Sequence, residues 1–131
     1  MSLYLADYIV LKDGPAKLQN SKEVAYQLKF PKGLVNNKSD QSPILSFRAR
    51  GGGPLPAGTV RVSIDDDGDI HEVITVNMPP GETREYKEVV GPNVVNGTGD
   101  NSVRFRHMGG AEVTISDVVI WFQRRVEAEP G

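Results

Sequence analysis

Val113-Thr114-Ile115-Ser116-Asp117-Val118-Val119-Ile120-Trp121-Phe122 is the stretch on which the reading of this chain turns. Val113 and Ile115 set a period-two apolar phase that leads into Val118 to Phe122, where Val118, Ile120 and Phe122 share one face. Val119 and Trp121 give the same strand a second apolar face, where a strand on the outside of a two-layer sandwich needs only one. Two readings of that second face stand. A loop or the N-terminal segment covers it, or Trp121 lines a ligand groove or a subunit contact.

The same alternation recurs outward from this stretch. Val103 and Phe105 alternate with Arg104 and Arg106, Val60, Val62 and Ile64 with Arg61 and Ser63, and Leu45, Phe47 and Ala49 with Ser46, Arg48 and Arg50. Val24, Tyr26, Leu28 and Phe30 follow the rule, as do Ile74, Val76 and Met78, and segments near Tyr4–Leu11 and Arg84–Val90 complete the set. Period two is the signature of half-buried strands. Sixteen Val and seven Ile fit a pleated surface better than a helix. Prolines 31, 43, 54, 56, 79, 80 and 92 fall between the candidates, where a missing N–H costs a ladder nothing. The expectation is an all-β, two-sheet antiparallel jelly-roll sandwich of about eight strands, with a closed barrel as the second choice. We expect residues 1–131 to form one domain with a frayed tail at 127–131.

Asn101-Ser102-Val103-Arg104-Phe105-Arg106, together with the run from Val113 to Phe122, resembles the closing strands of galactose-binding-like jelly rolls, which include many carbohydrate-binding modules. Pro79-Pro80-Gly81-Glu82-Thr83-Arg84 and Val95-Asn96-Gly97 are similar to the turn-and-return region of such folds. The resemblance implies a sandwich fold, and no sugar-contacting residue transfers from it position by position. The aromatic share, 7%, is thin for an aromatic sugar platform.

Composition removes several function classes. With no Cys there is no disulfide framework, thiol nucleophile or thiolate metal site. A net charge of −2 gives no general attraction to nucleic acid or an anionic membrane, so neither is expected as a partner. No apolar run reaches the length of a membrane-spanning helix, and no secretory signal is visible at residues 1–10. Two Asn-X-Ser/Thr triplets, at Asn37 and Asn96, matter only in a secreted protein.

Chemistry-bearing residues form two groups. Asp65-Asp66-Asp67-Gly68-Asp69, with Glu72 behind it, gathers hard oxygens around a glycine. Asp65, Asp67, Asp69 and Glu72 could therefore offer a Ca²⁺ site. An EF-hand alignment fails, since it puts Ser63 and Ile74 where acids belong and the flanks read as strands. The alternative is a hairpin turn built from Asp and Gly for their conformations. Arg48, Arg50, Arg104 and Arg106 all take the outward phase of their strands. Were those strands in one sheet, four guanidinium groups would form a basic stripe suited to carboxylates or phosphates. The alternative is a solvated face balanced by acids.

His71 reads as a solvated turn residue and His107 as half-buried and hydrogen-bonded. Gly51-Gly52-Gly53 lacks the Lys-Ser/Thr of a phosphate loop and reads as a loop rimming a binding face. No nucleophile or acid/base pair occurs at a telling spacing, so no catalytic residue and no resident cofactor is expected. The sequence thus favours a non-catalytic module holding a small ligand or glycan, with Arg48, Arg50, Arg104, Arg106 and Trp121 as ligand-binding candidates. The alternative is a structural subunit that self-associates into a homo-oligomer through the apolar face around Trp121.

Overall fold

A computed structural model describes residues 2–35, 42–54, 56–91, 94–95, 97 and 99–127. The glycosylation triplet at Asn37, the residues Asn96 and Thr98 of the second, and the tail beyond residue 127 lie outside the described residues. Glu127 itself closes the last strand, paired with Ser2.

Ten strands run in chain order: β1 Ser2–Lys12, β2 Ala16–Leu18, β3 Glu23–Leu28, β4 Leu34–Val35, β5 Ile44–Gly51, β6 Gly58–Asp66, β7 Asp69–Met78, β8 Thr83–Val89, β9 Asn101–Gly109 and β10 Val113–Glu127. The eight segments read from alternation all appear, and the two additions, β2 and β4, are three and two residues long. A six-stranded sheet has the order β1-β10-β5-β8, with β2 and β4 also pairing with β10. A four-stranded sheet has the order β3-β9-β6-β7, and every strand pairing is antiparallel. The protein is an all-β two-sheet sandwich.

The inward phases of both sheets meet in one core. Leu45, Phe47, Ala49, Val113, Ile115, Val118, Ile120 and Phe122 come from the six-stranded sheet, and Val60, Val62, Ile64, Val103 and Phe105 from the other, all buried. The Phe47 and Phe105 rings meet edge-on across the two sheets, centroids 5.2 Å apart, and Phe30 meets Phe122 the same way at 5.1 Å. The apolar phase of β10 slips by one residue at a bulge. Asp117 has φ 53°, and the register against β5 shifts between Ser116 and Val119, so Ile115 and Val118 both point inward.

The Asp-rich segment is a hairpin. Asp66 pairs with Asp69 across a two-residue loop in which Asp67 and Gly68 both have positive φ, 49° and 95°. That backbone is the primed turn matched to twisted strands, and Gly adopts it without penalty. Asp65 Oδ1 accepts a hydrogen bond from the Gly68 N–H at 2.7 Å and closes the loop.

Candidate functional site

Because β5, β6, β9 and β10 each bury one phase, the opposite phase defines two outer faces, and they differ in chemistry. The N-terminal segment lies beside β10 as an edge strand, so it leaves the second apolar face of β10 open. Trp121 is 45% exposed. Register places Tyr8 opposite Trp121, Trp121 opposite Ile44, and Ile44 opposite Val89. These four exposed side chains make an apolar row across the full width of β1, β10, β5 and β8. Val10 and Val119 extend it by one row, and Tyr4 continues the β1 phase.

Trp121 is held on two sides. Its Nε1–H donates to Ser46 Oγ at 2.9 Å, and its ring meets Tyr8 at 5.2 Å between centroids with the planes tilted by 39°. The indole therefore presents a fixed surface to solvent, oriented by neighbours on both flanking strands.

Beside this row the same face turns polar. A groove of about 260 Å³ is lined by Ser46, Arg48, Glu85, Lys87, Asp117 and Val119, together with Phe47 and Tyr86. Arg48 reaches Glu85 at 2.8 Å and Asp117 at 3.6 Å. The hydrogen bond from Arg48, reinforced by its charge, holds the Glu85 carboxyl below the usual carboxylate range, and Glu85 in return raises Arg48. Arg50 lies further along the same strand, opposite Thr114 and Thr83.

The four arginines do not form one stripe. Arg48 and Arg50 sit on β5 in the six-stranded sheet, whereas Arg104 and Arg106 sit on β9 in the four-stranded one. Both pairs do face outward, yet on opposite sides of the sandwich. Alternation fixes which way a side chain points within its strand and leaves open which sheet the strand joins. Arg104 is engaged by Glu23 at 3.2 Å and Asp65 at 2.8 Å, with Ser102 Oγ accepting from its Nε.

The candidate Ca²⁺ ligands disperse along the hairpin. Asp65 serves the turn and Arg104, Asp69 lies 3.4 Å from His71 Nε2, and Glu72 accepts from Thr75 Oγ1 at 2.6 Å. Among the described residues no group of three or more His, Cys, Asp or Glu side chains is placed to share a metal ion. His107 is more deeply placed than expected, 2% exposed, with Nε2 2.9 Å from the Ala111 carbonyl oxygen and no partner at Nδ1 among the described residues.

Tyr8 and Arg61, which stands opposite Arg106, were not singled out by the sequence. Tyr8 carries the same signal as Trp121, an aromatic in the outward phase, and Arg61 alternates with Val60 and Val62 as Arg104 does with Val103 and Phe105.

No protein-family model matches the chain, and no curated protein matches it in sequence. Solved structures do match in fold. A CBM4 carbohydrate-binding module superposes with a TM-score of 0.52 at 15% identity, over 88% of this chain and 69% of that one. TmCBM61, solved in complex with β-1,4-galactotriose, gives 0.51 at 16% identity over 95% and 88% of the two chains. The arabinose-bound α-L-arabinofuranosidase MgGH51 gives 0.52 at 12% identity, where the match takes 88% of this chain and only 19% of the enzyme. At such identities the likeness is one of architecture: the chain has the jelly-roll β-sandwich fold of carbohydrate-binding modules.

Proposed function

We propose that the protein is a non-catalytic carbohydrate-binding module whose outer six-stranded face holds a neutral oligosaccharide. The observation that carries this reading is the exposed, doubly braced Trp121 with Tyr8 beside it, opening onto a polar groove. A pyranose ring has an apolar face of C–H groups and an equator of hydroxyls. An aromatic platform takes the first, and the fixed charges of Arg48, Glu85, Lys87 and Asp117 take the second. The solved modules of the same fold, one of them in complex with β-1,4-galactotriose, support the ligand class.

The pairing of the groove's carboxylates with Arg48 favours binding over hydrolysis. A glycosidase needs one carboxyl kept protonated as the general acid. Here Arg48 pairs with Glu85 at 2.8 Å and lowers its carboxyl pKa, and the same guanidinium lies 3.6 Å from Asp117.

A glycan array followed by calorimetry tests the proposal. The expected result is binding to a subset of neutral oligosaccharides that disappears in Trp121→Ala. An empty array, or affinity unaffected by that substitution, rejects it.

One observation also favours self-association. The row Tyr8–Trp121–Ile44–Val89 is continuous and exposed, as a subunit interface is before it closes. Light scattering at high concentration separates the two readings: a dimer lost in Trp121→Ala supports association, and a strict monomer leaves the sugar.

A further inference from the structure

We infer that the outer face of the four-stranded sheet carries a separate oxyanion site, formed by Arg61 and Arg106 and suited to a carboxylate or sulfate group on an acidic saccharide. The inference does not rest on the glycan reading of the opposite face.

The register across β3, β9, β6 and β7 runs Glu23, Arg106, Arg61, Thr75. Two arginines therefore face each other directly on neighbouring strands, with Cβ atoms roughly 5 Å apart, an arrangement that destabilises a sheet when nothing neutralises it. The neighbours that could do so are engaged elsewhere, wholly or in part. Glu23, directly opposite Arg106, turns its carboxylate to Arg104 at 3.2 Å. Glu72 stands 4.0 Å from Arg61 Nε while its Oε1 accepts the Thr75 hydroxyl. Asp65 is held by Arg104 and by the hairpin turn. Arg106 has no acidic partner among the described residues.

The pair lies in a concavity. Arg61 and Arg106, with Arg104, Glu23, Glu72 and Ser63, line a groove of about 450 Å³, and exposed Ile70 stands at its lip. Glu23 and Asp65 are both spent on Arg104, so Glu72 alone stands against Arg61 and Arg106, which leaves a positive excess at that pair on a chain whose net charge is −2. An oxyanion between the two forks accepts paired N–H bonds from each and cancels the repulsion that the bare sheet retains. Ser63, at the floor, adds a hydroxyl, and the apolar lip leaves room for a sugar ring to carry the charge.

The test is a titration of the arginine Nε–Hε resonances with sodium sulfate and, in parallel, sodium glucuronate, each against sodium chloride at matched ionic strength. The expected result is saturable shifts at Arg61 and Arg106 with at least one of the two, about tenfold weaker in Arg106→Gln and unchanged in Trp121→Ala. Sulfate alone would assign a sulfate ester, and tighter glucuronate binding a uronate; both support the site. Shifts no larger than those with chloride, or equal affinity in Arg106→Gln and Arg61→Gln, overturn it. Thermal melts keep the variant interpretable. Without added oxyanion, Arg106→Gln melts at or above the parent temperature at low salt, because a like-charge pair has been removed. A lower melt would identify Arg106 as a structural residue and overturn the proposal.

Discussion

The two outer faces of this sandwich are built by the same rule and reach opposite chemistry. Both consist of the residues that each strand turns away from a shared core. On the six-stranded sheet that phase holds Tyr8, Trp121, Ile44 and Val89; on the four-stranded sheet it holds Glu23, Arg106, Arg61 and Thr75. The inward phases are bound by packing, whereas the outward phases are free to differ, and that freedom is where function is written. A sandwich of this kind can offer an apolar platform and a charged groove with no change in its interior.

The largest effect should come from breaking what the faces share. Phe105 is fully buried and touches Phe47 and Tyr26. Phe105→Ala is expected to cost about 3–5 kcal/mol in denaturant unfolding and to impair both faces together. Next, Trp121→Ala should remove about 2 kcal/mol of neutral-glycan affinity by calorimetry while leaving sulfate or glucuronate binding intact. Loss of both activities would show that the faces are coupled. Tyr8→Ala should act in the same direction by about 1 kcal/mol, since the indole keeps Ser46 but loses its ring partner.

Smaller still is the acid dependence of Arg48. The carboxyl of Glu85 is held below its ordinary value, so its contribution to stability is present above the unfolded pKa and lost as pH falls through the lower folded one. The melting difference between parent and Arg48→Gln should therefore exist at neutral pH and vanish under strong acid. The smallest expected effect is none: melts in Ca²⁺ and in chelator should coincide, because Asp65, Asp69 and Glu72 face different partners.

How far these differences could be read in advance depends on the kind of information. Alternation reveals the phase of a strand, and it placed Arg48, Arg50, Arg104, Arg106 and Trp121 outward, as they are. Pairing partners depend on loops and twist, so the division of the arginines between two sheets left no local trace. β2 and β4 are too short for any period to register. The openness of the Trp121 face depends on where β1 lies, and the bulge at Asp117 on the register against β5; both are set by tertiary packing.

β10 has a consequence for the order in which the molecule can assemble. Along one edge it pairs with β2 and β1, along the other with β5 and β4, leaving only β8 of its sheet to find another partner. During synthesis the strands that flank it are made first and wait without their centre. The six-stranded sheet, and with it the Tyr8–Trp121 contact, cannot exist until residues 113–127 have left the ribosome. The aromatic platform thus waits for the last strand of the sandwich.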